Sequence, residues 1–139
     1  MHLALRVLVA AQALEKAAQR MLKPHGVTPA QFNVLHILAD QPKGMRSSDL
    51  ARTLIVDPSN ITGLVKRMRE EDFLVELENS ADRRQHIVGL SPKGRRIWKA
   101  AVRDYHRRLT ALDASLSSAE RATTKKVLLQ LINESSVLP

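Results

Sequence analysis

Hydrogen-bonding and basic side chains are concentrated in one stretch that follows an Asp-Pro pair at residues 57–58. The candidates for DNA contact on this stretch are Ser59, Asn60, Thr62, Gly63, Lys66 and Arg67. The short polar groups can reach base edges or phosphates in a major groove, and the glycine would let the backbone come close. The two basic groups suit phosphates, which position a protein without specifying sequence. The alternative is a solvated helix face on which the polar groups only serve the cap.

A second basic cluster lies at the predicted tip of a hairpin. Arg83 and Arg84 are candidates for a minor groove, where arginine responds to narrow width and negative potential. Asp82 would be repelled by phosphates, so we expect it to orient one of these arginines. The alternative is an exposed salt bridge worth at most about 1 kcal/mol. A hairpin with a basic tip beside a polar helix favours DNA contact for both segments.

Two weaker groups of candidates flank these clusters. Arg46 and Ser47 open a short helix and could touch the DNA backbone. A basic stripe recurs at four-residue spacing further along, at Arg95, Lys99, Arg103 and Arg107. Beyond its first turn, a solvated helix face explains the stripe as well as DNA contact does.

The distribution of charge agrees with a polyanionic partner. The 139 residues include 22 Lys and Arg against 14 Asp and Glu, a formal net charge of +8. Residues 43–108 alone hold fifteen basic and nine acidic residues, a net charge of +6. Lys and Arg that face phosphates release condensed counterions, so this segment has the electrostatics of a DNA-binding region.

The elements that must hold these residues are mostly helices. Apolar residues at three-to-four spacing predict helices over residues 3–22, 29–38, 48–54, 58–71, 92–114 and 118–132. The period changes to two at Phe73, Val75 and Leu77, and again at His86, Val88 and Leu90, which predicts two strands of a hairpin. The fold class is therefore mainly α with a small β-hairpin. Residues 28–94 would form a winged helix-turn-helix.

The outer segments, residues 1–23 and 95–139, carry more apolar surface than a small domain needs. Residues 3–22 and 127–132 are the clearest examples. Such helices usually pair with another subunit, so we expect a homodimer; packing on the chain's own domain is the alternative.

Other function classes find little support in the sequence. The chain has no cysteine, which excludes disulfides and thiol redox sensing, and no apolar run reaches membrane-spanning length. Five histidines do not occur at metal-ligand spacing, and no enzyme signature occurs, so neither a metal nor a cofactor nor catalysis is expected. Phe32, His36, Trp98 and Tyr105 could line a cleft for a small ligand, although core packing explains them equally well.

Motifs along the chain resemble those of the MarR family of bacterial transcriptional regulators. Residues 28–35 (TPAQFNVL) are similar to the opening of that family's second helix. Residues 49–51 (DLA) and 56–62 (VDPSNIT) resemble its helix-turn-helix. Residues 82–84 (DRR) and 90–94 (LSPKG) are similar to its wing and wing exit. The outer helices also match in number and order.

This chain departs from the family pattern at several positions. Asp72 stands where glycine is common before the first wing strand. Glu76 occupies a position that is often arginine, and Glu78 and Ser80 stand where prolines are frequent. The two glutamates are expected to lower the positive potential of the wing.

The resemblance implies a cytoplasmic homodimer that binds a pseudo-palindromic operator in double-stranded DNA and usually represses transcription. It also implies release by a small, often anionic aromatic effector, and it makes Arg84 the preferred groove residue with Asp82 holding it. Two other classes stay open. One is an architectural DNA binder without a ligand, and the other is a helical module that binds an acidic protein.

Overall fold

The computed structural model describes residues 2–54, 58–78, 81–82 and 84–135. Its helices are α1 (Leu3–Leu22), α2 (Pro29–Ala39), α3 (Ser47–Leu54), α4 (Pro58–Glu70), α5 (Pro92–Ala114) and α6 (Ser118–Ser135). A 3-10 turn (Lys23–His25) follows α1. The strands are β1 (Met45–Arg46), β2 (Leu74–Leu77) and β3 (Ile87–Leu90). The mainly α fold with a small hairpin is thus confirmed.

Side-chain caps begin three of these helices where the sequence predicts them. The hydroxyl of Thr28 accepts the Gln31 amide at 3.2 Å, and the Gln31 side chain accepts the Thr28 amide at 3.0 Å. Ser117 and Glu120 form the same reciprocal pair before α6. The hydroxyl of Ser91 accepts the Gly94 amide at 2.8 Å before α5. Each cap satisfies amides that a helix start leaves without an intrahelical partner.

A core of aliphatic and aromatic side chains joins α2, α3 and α4. Its most buried large members are Phe32, Leu35 and Leu38 of α2, Leu50 of α3, and Ile61 and Met68 of α4. Burial at three-to-four spacing confirms the predicted inner faces of these helices. Ile37 and Leu64, also predicted to face inward, are only half-buried because they lie at the margins of those faces.

In the described part of the chain the sheet has three strands, in the order β1–β3–β2. Both pairs are antiparallel, with Leu74 opposite Leu90 at one end of the hairpin and Leu77 opposite Ile87 at the other. Strand β1 was not predicted, because two residues are too few to show a period. Strand β1 pairs Met45 with Val88 and Arg46 with Ile87 of β3. It therefore joins the start of α3 to the hairpin.

The hairpin strands are shorter than their sequence period indicates. Phe73 precedes β2 and His86 precedes β3, so the prediction that both belong to strands was wrong. Phe73 is buried all the same, since the turn after α4 carries it into the core, whereas His86 is exposed. Leu74 is also buried, although the alternation placed it on the opposite face from Phe73. Two consecutive residues are therefore buried at the start of β2, which contacts α4, and this hides the simple alternation.

The chain divides into two compact units, residues 1–104 and residues 105–139. In the first unit, α1 leaves several large apolar side chains largely exposed: Leu3, Leu5, Leu8, Val9 and Leu14. In the second unit, Val127, Leu128, Leu129 and Ile132 of α6 are exposed as well. Among the described residues, no helix is both long enough and apolar enough to cross a membrane.

Candidate nucleic-acid interface

Helix α4 separates a buried apolar face from an exposed polar face. Ile61, Val65 and Met68 are buried, with relative exposures of 2%, 5% and 0%. Ser59, Asn60, Thr62, Lys66 and Arg67 are exposed on the same helix, and Gly63 is half-exposed. The core therefore anchors the helix while its hydrogen-bonding and basic groups stay accessible. An α-helix presenting such a face has the width that a major groove admits.

Because Gly63 has no side chain, the exposed face of α4 is recessed at this position. A Cβ built at this position would have Arg67 Nη1 at 3.4 Å, an ordinary van der Waals distance. The guanidinium of Arg67 thus lies close over the glycine, one helical turn away. Replacing Gly63 with alanine would fit sterically but would raise the surface that a DNA backbone would approach.

The candidate pair before α3 is arranged differently from its prediction. Arg46 is the last residue of β1 rather than a helix residue, and Ser47 is the first residue of α3. The Arg46 Nε atom donates to Asp49 at 2.9 Å, and Arg52 also contacts that carboxylate. The hydrogen bond from Arg46 holds the pKa of the Asp49 carboxyl below its ordinary value. Arg46 is therefore directed by an acidic partner, while its side chain remains 45% exposed.

The wing tip is described at Asp82 and Arg84; Arg83 lies outside the described residues, as do residues 55–57 and their predicted turn and cap. The Asp82 carboxylate accepts the backbone amide of Arg84 at 2.9 Å. This contact, across two residues, closes a local Asx-type turn. Asp82 thus holds the backbone that carries Arg84, and the Arg84 side chain is exposed.

The Glu76 carboxylate lies between basic groups of the wing and of α4. Arg69 Nη2 is 2.8 Å from Glu76 Oε2, and His86 Nδ1 contacts Glu76 Oε1. The hydrogen bond with His86, and secondarily the charge of Arg69, lowers the pKa of Glu76. The negative charge of Glu76 is thus paired locally, so it lowers the potential of the wing less than the sequence indicates. Glu78 is exposed.

The junction between α4, β2 and α5 depends on a close backbone approach. Asp72 has φ of 62°, a left-handed conformation that glycine adopts most easily. Its carbonyl accepts the Ser91 hydroxyl at 2.6 Å, and the Phe73 carbonyl accepts the Ser91 amide at 3.1 Å. A Cβ on Gly94 would lie 2.1 Å from the Phe73 carbonyl oxygen, so only glycine fits there. These contacts attach the root of the wing to the start of α5.

An aromatic cluster links α2 to α5 within the first unit. The Phe32 and His36 rings stack with centroids 5.6 Å apart, and Trp98 Nε1 donates to His36 Nδ1 at 3.1 Å. Phe32 is fully buried and packs the core, whereas His36 and Trp98 are half-buried. Tyr105 belongs to the second unit, where its ring lies edge-on to His106.

The basic stripe of α5 is exposed along its first-unit part. Lys99 and Arg103 are exposed and Arg95 is half-exposed, and Arg96 adds a further exposed charge. Arg107 belongs to the second unit. Asp104 accepts from His25 at 2.8 Å, which joins the 3-10 turn after α1 to α5.

A family model described as "MarR family" matches residues 25–85, from the last residue of the 3-10 turn to just before β3. That range contains the recognition-helix candidate and most of the wing. In these residues the chain is similar to the MarR family of transcriptional regulators. The prediction made from the motifs is confirmed, and with it the winged helix-turn-helix fold.

Two curated relatives lie within the same class of regulators. The transcriptional activatory protein BadR of Rhodopseudomonas palustris is 33% identical over 96 residues, 68% of this chain. The chain spans about half of that relative, with 55% covered. The homoprotocatechuate degradative operon repressor of Escherichia coli is 28% identical over 93% of this chain and 82% of its own length. The relatives thus include both an activator and a repressor.

Solved structures share the fold over nearly the whole chain. The MepR–DNA complex from S. aureus superposes with a TM-score of 0.88 at 18% identity, covering 96% of this chain and 98% of that one. CouR from Rhodococcus jostii bound to p-coumaroyl-CoA gives 0.76 at 22% identity, covering 90% and 88%. At these identities the similarity establishes the architecture alone.

Sequence reasoning missed the residues that arrange the interface. Arg69 and His86 were not selected, and Glu76 was considered only for its charge. Their pairing joins residues 69, 76 and 86, and only a correct hairpin register brings them together. Asp49 was noted only as part of a motif and was given no role. Arg46 and Arg52 lie three positions before and after it, and this spacing is a recognisable signal for ion pairing.

Proposed function

We propose that this protein is a homodimeric regulator that binds a pseudo-palindromic operator in double-stranded DNA, represses transcription in the bacterial cytoplasm, and is released by a small anionic aromatic effector. The observation that carries the proposal is the two-sided character of α4. Its apolar side is locked into the core while Asn60, Lys66 and Arg67 are presented outward. The excess positive charge in residues 43–108 supports the same partner.

In this proposal each part of the interface has its own role. Ser59, Asn60 and Thr62 at the start of α4 enter the major groove and contact base edges or phosphates. Lys66 and Arg67 bind phosphates and set the register. Arg84 enters the flanking minor groove, and the turn closed by Asp82 directs it there.

The dimer is supported by apolar surface left exposed on the outer helices. Leu3 and Leu8 of α1 are each 58% exposed, and Ile132 of α6 is 65% exposed. Burial of such side chains against a second copy is favourable because it removes apolar surface from water. A two-fold dimer also presents two α4 helices, and a pseudo-palindrome requires them to lie about one DNA turn apart.

The effector is supported by the aromatic cluster, in which His36 and Trp98 are only half-buried. His36 and Trp98 can stack on an aromatic ligand, and Phe32 supports His36 from the core. The same fold accommodates p-coumaroyl-CoA in CouR. Trp98 is the only tryptophan of the chain, so a change in its emission on addition of hydroxycinnamate or salicylate would report binding at this cluster.

The decisive experiment selects genomic fragments with the full chain and titrates the recovered duplex at several salt concentrations. Arg84→Ala is expected to weaken binding about tenfold and to reduce the salt slope by roughly one. Arg108→Ala removes the same charge from the second unit and is expected to leave the affinity and the salt slope unchanged. Unchanged affinity and slope for Arg84→Ala would contradict the role given to the wing.

The same titration separates the other classes of function. Equal binding of the recovered and a scrambled duplex would indicate an architectural binder. Failure to bind any duplex at low salt would indicate a module that binds an acidic protein. Because BadR is named an activatory protein, a reporter gene behind the recovered site is needed to distinguish activation from repression.

A further inference from the structure

Glu76 joins three elements through one carboxylate. Oε2 receives Arg69 Nη2 at 2.8 Å, and Oε1 contacts His86 Nδ1. An ionised carboxylate only accepts hydrogen bonds, so His86 Nδ1 carries a proton in this contact. Arg69 lies in the last turn of α4, Glu76 lies in β2, and His86 directly precedes β3. The recognition helix and both sides of the hairpin therefore meet at a single side chain.

This contact lies close to the wing tip, so it can influence the position of the tip. His86 is two residues beyond Arg84, and Glu76 lies one residue before the end of β2. The surrounding charges are Lys66 and Glu70, which line the same groove between α4 and β2. Extending the hairpin register by one step would also bring Glu78 opposite His86. The groove is open to solvent, so the contact biases the wing rather than making it rigid.

We propose that Glu76 is a positioning residue for DNA recognition: by holding Arg69 and His86 together, it sets the position of the wing tip relative to α4. This inference rests on the proposed DNA-binding function. It reverses the expectation for an acidic residue in a wing, which is simply to repel phosphates. Here the negative charge of Glu76 slightly lowers the affinity for any DNA, but the contact raises discrimination between duplexes. The contacts of α4 and of the wing tip must then be made at a fixed separation, which only some duplexes allow.

Glu76→Gln distinguishes positioning from simple repulsion. Glutamine keeps the size of the side chain but removes the charge that holds Arg69. Glu70→Gln is the matched control, since Glu70 lines the same groove and, in the part of the chain described, no ion pair to it is seen. If only repulsion matters, both variants should bind every duplex more tightly and to a similar extent.

The first measurement is the affinity ratio between the duplex selected by the wild-type protein and a scrambled duplex, at one salt concentration. Positioning predicts that Glu76→Gln lowers this ratio about fivefold while Glu70→Gln preserves it. An unchanged ratio in Glu76→Gln, with a selective wild-type protein, would overturn the inference. A wild-type protein without selectivity would instead overturn the proposed function.

A second measurement does not depend on DNA. Hydrogen–deuterium exchange of the free protein should be about threefold faster in β2 and β3 of Glu76→Gln than in the wild type. Glu70→Gln should exchange like the wild type in the same strands. Equal exchange in the wing of all three proteins would refute the positioning role whatever the DNA titration gives.

Discussion

Replacing Gly94 with alanine tests how the wing is attached to the helical scaffold. The added Cβ would lie 2.1 Å from the carbonyl oxygen of Phe73 and 3.0 Å from its carbonyl carbon. Both are backbone atoms, so no change of side-chain rotamer can remove the overlap. The start of α5 or the turn before β2 must move by more than 1 Å, roughly the deficit from normal contact.

The energetic cost can be estimated from the contacts at this junction. Overpacking a rigid site costs about 1–3 kcal/mol. Moving the helix start also weakens the hydrogen bond from the Ser91 amide to Phe73 and that from the Ser91 hydroxyl to Asp72, each worth about 1 kcal/mol. We therefore expect Gly94→Ala to lower the free energy of unfolding by about 3 kcal/mol.

Urea unfolding at a fixed protein concentration, followed by far-ultraviolet circular dichroism, measures this loss. Gly63→Ala is the control, because its Cβ meets only the end of Arg67 at 3.4 Å and alanine favours a helix by about 0.5–1 kcal/mol. The control should be as stable as the wild type or more stable, yet should bind DNA less tightly. If Gly94→Ala unfolds within 0.5 kcal/mol of the wild type, roughly the error of such comparisons, the close approach is not a constraint.

Three further outcomes are expected. Asp72→Gly should raise the free energy of unfolding by about 0.5–1 kcal/mol in the same urea assay, because glycine adopts the left-handed conformation without strain; a loss of stability would contradict this. The hydrogen bonds from Ser117 lower the pKa of Glu120, so its stabilisation is present above the ordinary carboxyl pKa of about 4 and is lost as pH falls through the lowered value. Glu120→Gln should therefore lose less stability than the wild type between pH 6 and pH 3, as measured by thermal melting; equal losses would exclude the effect. Finally, His36→Leu removes the acceptor of the Trp98 Nε1 hydrogen bond and should change the fluorescence emission of Trp98; an emission spectrum identical to that of the wild type would contradict this contact.

The order of the helices could be predicted from the sequence because capping residues and hydrophobic spacing indicate the same segments. The Thr28–Gln31 and Ser117–Glu120 pairs are capping boxes in sequence and in structure. Three-to-four spacing identified the buried face of α4, and with it the candidate DNA residues on the exposed side. Strand β1 could not be found this way, since two residues carry no period, and the start of β2 was misplaced because Phe73 and Leu74 are both buried, which hides the alternation.

The sequence by itself determined the helix order, the buried faces and the type of chemistry available at the interface, since caps and hydrophobic periods act between residues close in the chain. Tertiary structure alone decided which charges meet. It paired Glu76 with Arg69 and His86, and it made Gly94 irreplaceable by placing it against the Phe73 carbonyl. These contacts depend on the register of the hairpin and on the approach of α5 to the turn after α4. Both are set by packing between segments far apart in sequence, for which a single chain carries no local signal.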